Sequence, residues 1–236
     1  MKNIPLLFLF LFLLLGCSSL EVENIPSTEE EAQRILKLGL THEQNLMEAK
    51  KLSSPHVVSV VTLKLINAHN EKIQAEIDIQ ESNKFADKVN VLEDGSKFTS
   101  VKISESLKSG LLATDLDLLE YYFQSEKNLS NGIIAHKLNL SIIYNSNKTR
   151  DYNAFSFCDK WNNCADSTLI NSVSVNASNC KNKNCDYKEI IEINLNDNFL
   201  KRTLNEGFSM RLISNKKTNI IKISKPFLMG YLKVVK

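Results

Sequence analysis

Much of this chain is written in steps of two. Ile134, His136, Leu138, Leu140, Ile142 and Tyr144 fill every second position, and Tyr187, Glu189, Ile191, Ile193 and Leu195 repeat the pattern. Successive strand side chains point to opposite faces, so each run spells a strand with one face buried. Shorter versions follow at Leu169, Asn171, Val173 and Val175, at Phe208, Met210 and Leu212, and at Ile221 and Ile223. Residues 152–157 form a short aromatic run of the same kind. Asn131-Gly132 is a strong hairpin turn, because both residues tolerate positive φ. A strand after that turn needs a partner before it. That need decides the reading of residues 116–127, where Leu112, Leu116, Leu119 and Phe123 suit a helix but Tyr121-Tyr122-Phe123 suit a strand.

The same alternation is read earlier in the chain. Val57, Ser59, Val61, Leu63 and Leu65 form one run; Ile73, Ala75, Ile77 and Ile79 form another against Lys72, Gln74, Glu76 and Asp78. With Asn67–Asn70 between them, these spell a hairpin over residues 57–79. Residues 89–92 and 98–103 flank Asp94-Gly95 and give a second, weaker one. Helical signals lie mostly at the two ends. Ser27 or Thr28 with Glu30 or Glu31, and Thr41 with Gln44, are capping boxes on either side of Gly39. Asn196 or Asp197 caps one or two turns before Gly207, and Ser224 with Pro226 opens a terminal helix. The total is roughly nine or ten short strands joined by turns. The fold expected is mainly β, an antiparallel sandwich-like domain with an N-terminal helical segment and a short C-terminal helix. An α+β sheet with helices on one face is the alternative.

The first seventeen residues are of another kind. Lys2 precedes an unbroken Leu/Phe run from Leu6 to Leu15, followed by Gly16 and Cys17. Ten apolar residues rise about 15 Å as a helix, roughly half a bilayer's hydrocarbon core. A basic start, a short apolar run and a small residue at its exit read as an export signal. Leu14-Leu15-Gly16-Cys17 resembles the lipobox of bacterial lipoproteins. The resemblance covers the signal alone, and no family resemblance is read in the globular part. It implies that Cys17 is acylated on sulfur, becomes the N-terminus and anchors the chain in the bilayer, with palmitate the usual further acyl group. Ser18, with no Asp after the Cys, implies outer-membrane sorting, facing the periplasm or the cell surface. The organisation expected is a signal over 1–16, a tether over 17–26, a helical segment over 27–54 and a β-rich domain over 55–236. A flexible tether of about ten residues spans roughly 16–19 Å.

Four cysteines remain: Cys158, Cys164, Cys180 and Cys185. An even number in an exported chain suggests disulfides. The local pairs, Cys158–Cys164 and Cys180–Cys185, are favoured because each closes a short polar loop. A four-Cys zinc site is the competing reading, with spacings looser than usual. The formal charge of +2 becomes +1 without Lys2, and lysines and acids are interspersed, so no nucleic-acid partner is expected.

The search for chemistry is mostly negative. There is no G-x-S-x-G, P-loop, H-E-x-x-H or G-x-G-x-x-G. His42, His56, His69 and His136 show no metal-ligand spacing, and no metal or cofactor is expected. His136, on an apolar strand face, reads first as a core histidine and second as a buried base. Asp115 and Asp117 share a strand face and read as solvated carboxylates rather than a cation site. Ser214 and Lys217 match S-x-x-K, but in a hairpin turn and without companion motifs. Trp161, inside the first cysteine loop, is a candidate partner contact or a plug for one end of the sandwich. The expected function is a membrane-anchored binding or scaffolding module with an envelope protein partner. The alternative is an envelope hydrolase of wall or glycan using carboxylates or a histidine.

Overall fold

A computed structural model describes residues 27–108, 116–159, 162–214 and 217–235. Cys17, Asp115 and Trp161 lie outside the described residues, as do the leader and the tether. The chain divides into two compact units, Met1–Ile73 and Gln74–Lys236.

The described part of the first unit is helical. Helix α1 (Thr28–Leu36) and helix α2 (His42–Ala49) both begin with complete capping boxes, Ser27 with Glu30 and Thr41 with Gln44. Gly39, at φ +67°, takes the left-handed conformation that breaks the chain between them. Helix α3 (Pro55–Ala86) starts here and runs on into the second unit. In the first unit Ala32, Ile35, Ala49, Val61 and Leu65 form a small core, with Leu46, Leu52 and Val57 against it. Lys64 reaches Glu29 at 2.5 Å.

Helix α3 overturns the hairpin expected over residues 57–79. Val57, Val61 and Leu65 explain the error. They are four apart, so they satisfy a period of two and a helical i, i+4 stripe equally well. In the structure these three face the core, while Leu63, Ile73, Ile77 and Ile79 are exposed. The loop proposed at residues 67–70 has no Gly or Pro to turn it. The stretch after it, rich in Lys, Gln, Glu and Ala, favours helix. Pro55 sits at the helix's first residue, where its missing N–H costs nothing.

The second unit holds the strands. They are β1 (Asn90–Val91), β2 (Lys97–Thr99), β3 (Ile103–Lys108), β4 (Leu116–Lys127), β5 (Ile134–Ser146), β6 (Tyr152–Cys158), β7 (Thr168–Leu169), β8 (Ser172–Lys181) and β9 (Asn184–Leu195). Helix α4 (Asp197–Thr203), β10 (Phe208–Ser214), β11 (Thr218–Ile223) and helix α5 (Lys225–Val234) follow. One sheet runs β1-β2-β4-β5-β9-β8, with β3 also on β4; the other runs β11-β10-β6-β7. All pairings are antiparallel. The architecture is thus mainly antiparallel β in two sheets, with helices at both ends of the sequence, as the alternation implies. The strand read over residues 116–127 is β4, and it pairs with β5 across the Asn131-Gly132 turn.

β2 and β3 lie along the same edge of β4. Between them Ser100 carries the ladder: its N–H donates to Phe123 O, and its hydroxyl accepts the Phe123 N–H, both at 2.9 Å. One core joins both sheets and α5. Leu119, Tyr121 and Phe123 of β4 and Leu138, Leu140 and Ile142 of β5 meet Met210, Leu212 and Ile221 of the other sheet and Phe227, Leu228 and Tyr231 of α5. Ser224 precedes the helix without a side-chain capping bond, leaving Pro226 as its start signal.

Two close contacts fix this unit. A Cβ on Gly230 of α5 would lie 2.4 Å from Ser82 O and 2.7 Å from Phe85 Cβ, so the missing side chain sets the approach of α5 to the last turns of α3. Lys225 and Asp78 pair across the same two helices at 2.8 Å. At the crossover from β5 to β6, the fully buried Glu189 of β9 gathers the turn. Its carboxylate accepts the N–H groups of Arg150 at 2.9 Å, Asp151 at 3.2 Å and Tyr152 at 3.2 Å, and the Tyr144 hydroxyl donates to it.

Gly230→Ala forces backbone apart rather than a flexible side chain, so it should cost about 2 kcal/mol and lower Tm by about 4–8 °C in a thermal melt. Glu189→Gln keeps the shape but turns an N–H₂ toward donors. A loss of about 3 kcal/mol is expected in urea titration, and an unchanged midpoint would remove Glu189 from this role.

Candidate functional site

The sequence candidates among the described residues have the following places. Cys158 is bonded to Cys164 and Cys180 to Cys185, so these sulfurs are not available as zinc thiolates. Cys180 and Cys185 flank the β8–β9 turn, where Asn182 and Lys183 both have positive φ, as a primed hairpin turn requires. The first loop is held by Asp159, whose carboxylate accepts the Asn163 backbone N–H at 2.9 Å and its side-chain amide at 3.1 Å.

Asp117 is buried, against the solvated reading. Arg150 donates to both its oxygens at 2.8 Å, and the Lys217 ammonium reaches Oδ2 at 2.6 Å. The Arg150 guanidinium also lies 3.8 Å over the Tyr144 ring. Ser214 closes its turn on the Lys217 backbone, accepting its N–H at 2.9 Å, while the lysine side chain goes to Asp117. The S-x-x-K spacing therefore serves a turn and an ion pair. His42 stacks on His69 at 3.9 Å with nearly parallel rings, a contact the spacing did not suggest. His56 is exposed at the start of α3. Among the described residues no three His, Cys, Asp or Glu side chains converge as a metal site.

His136 is buried and opposes Ser125 directly in the β4–β5 register. Its Nδ1 lies 2.7 Å from Ser125 Oγ, and the Tyr231 hydroxyl of α5 bonds the same Oγ. Its Nε2 makes no hydrogen bond; Asp197 Oδ1 is 3.5 Å away. The order Ser, His, Asp invites comparison with a catalytic triad. Here Ser125 is 1 % exposed and held on two sides, so its oxygen has no path to a substrate. The chain Tyr231–Ser125–His136 instead ties α5 to the sheet. Sequence reasoning missed Ser125 and Tyr231; only the strand register brings the first to His136.

Two depressions flank these features. A cleft of about 530 Å³ is lined by Ile133, Ile134, His136, Asp197, Leu204 and Leu232 among others. A groove of about 930 Å³ runs beside the Cys158–Cys164 loop. Phe157, Phe199 and Phe208 give it an aromatic lining, and Glu105, Asp159, Glu206 and Lys222 also line it. Phe157 and Phe199 stand 4.0 Å apart, centre to centre, and both pack on Phe208.

Burial pushes the Asp117 carboxyl up, but the Arg150 and Lys217 bonds outweigh it and hold it below its ordinary 3.8. Near that pH the unfolded chain binds the proton more readily, so this stability is full above about pH 5 and is lost as pH falls through the folded value. Lys217→Met should therefore be less stable at pH 7 yet lose less on going to pH 3, read as the slope of Tm against pH; an unchanged slope would contradict the linkage. No family model, no characterised protein and no solved structure matches this chain.

Proposed function

We propose that the chain is a lipid-anchored protein of the cell envelope that works as a binding module. Leu14-Leu15-Gly16-Cys17 supports the anchor, with Cys17 as the acylated residue and Ser18 favouring the outer membrane. Two disulfides among the described residues agree with an oxidising compartment. One observation carries the binding reading: a disulfide-closed loop stands beside a groove with aromatic lining and, among the described residues, an acidic majority of charged groups. Three carboxylates against one lysine suit a protein segment that offers Lys or Arg around an apolar anchor. Trp161, on that loop by sequence, would add a contact of the type enriched at binding hot spots.

Both halves of the reading can be tested. In cells fed an alkyne-bearing palmitate, the chain should take up label and fractionate with membranes, and Cys17→Ala should abolish both. For the groove, a soluble peptide alternating Lys and Phe should bind the protein, and its Ser-for-Phe counterpart should not. Glu206→Lys or Trp161→Ala should weaken binding several-fold while His136→Ala leaves it intact. Equal binding by all variants would move the site elsewhere.

A further inference from the structure

The cleft at His136 shares no lining residue with the groove. Its walls are mainly apolar: Ile133, Ile134, Leu204, Leu232 and Val235. Its polar groups are His136, Asp197 and Lys201. At about 530 Å³ it falls within the roughly 300–1,000 Å³ typical of small-molecule pockets. Ile133 is 66 % exposed, an uncovered apolar wall.

His136 has an atom with only one long polar contact. The ring is 3 % exposed, and Nε2 makes no hydrogen bond. Burial holds the imidazole below the ordinary histidine range, against the opposing pull of Asp197, so the ring is neutral at pH 7. With the Asp197 carboxylate facing it, Nε2 carries the ring's N–H; Nδ1 then accepts from Ser125, whose oxygen accepts from the Tyr231 hydroxyl. That N–H faces Asp197 Oδ1 across 3.5 Å, too far for a good bond. Asp197 is 42 % exposed and its other oxygen is held by Lys201 at 2.7 Å, so Oδ1 can give way slightly without losing its counter-ion.

We infer that this cleft binds a neutral amphiphile, an alkyl chain with a hydroxyl head, whose oxygen reaches the buried His136 Nε2 as the half-exposed Asp197 side chain swings aside, and then bridges Nε2 and Oδ1. The head accepts from Nε2–H and donates its own proton to Oδ1, turning one long contact into two hydrogen bonds. The chain lies on Ile133, Leu204 and Leu232. A carboxylate head is disfavoured, since it offers Asp197 a second negative charge and no proton. A pure alkane leaves the Nε2–H unpaired.

The test uses the full chain in vesicles from cells that express it. A dodecanol carrying a mid-chain diazirine is photolysed, and adducts are mapped by mass spectrometry. Label should concentrate on Ile133, Leu204 and Leu232. Unlabelled decanol should compete about tenfold better than decanoate or decane, the factor expected for one well-made buried hydrogen bond. Ile133→Glu, at an exposed position where folding is not at risk, should abolish the label. In the ¹⁵N-histidine spectrum, decanol should shift His136 Nε2 and leave His56 unmoved. Label spread evenly over exposed apolar residues such as Leu129 and Leu169 would overturn the proposal, as would decanoate or decane competing as well as decanol.

Discussion

One buried carboxylate settles how the two sheets are joined. The chain leaves one sheet at Ser146 and enters the other at Tyr152. So short a passage at the edge of a core leaves backbone N–H groups away from water, and such groups must find acceptors. Glu189 supplies them. A carboxylate offers about four lone-pair sites, and here they take three consecutive amides and the Tyr144 hydroxyl. Asp151 is held at φ +58° within that turn, which the bonds on either side over-determine. Beside it Arg150 points the other way, to Asp117 of β4, where Lys217 from the β10–β11 turn also arrives. Two separate chain connections, the β5–β6 passage and the β10–β11 turn, are thereby tied to two buried acids.

A second polar tie does the same for the terminal helix. Tyr231, Ser125 and His136 form a line from α5 into the β4–β5 pair, with Phe123 stacked on the Tyr231 ring at 5.0 Å between centres. Such a line fixes the rotation of the helix, which apolar packing alone specifies less tightly. It also explains why a serine and a histidine stand together without being nucleophile and base. The same rigidity fixes the orientation of the His136 ring in the wall of the neighbouring cleft. The groove by the Cys158–Cys164 loop is built by another device: a short covalent bridge stiffens a polar loop against a cluster of three phenylalanines.

Most of the sheet was legible because one of its faces is dry. Where Leu138, Leu140 and Ile142 must all point inward, a shift of one residue would turn every one of them out, so pattern and register are the same information. The turn at Asn131-Gly132 and the capping boxes at Ser27 and Thr41 were equally plain, being local chemistry. Helix α3 was misread for a reason that is also local. Residues spaced by four obey both periods, and only the partners available, other helices rather than another strand, separate the two. The sites were less legible than the fold. Asp117 looked like a surface acid because nothing near it in sequence reveals Arg150 or Lys217.

The sequence alone determined most strands from residue 116 onward, the short cysteine loops, the caps and the leader's likeness to a lipobox, since each depends on residues a few positions apart; the run read over residues 169–175 is instead divided between β7 and the exposed β8, in different sheets. Tertiary structure decided that residues 55–86 are one helix, that Glu189 and Asp117 are buried and satisfied, and that His136 keeps a nitrogen with only one long polar contact beside a cleft. Those outcomes depend on groups as many as 106 residues apart, as Ser125 and Tyr231 are. Whether a polar side chain is solvated, paired or left wanting is a property of its neighbours in space, which no local pattern encodes.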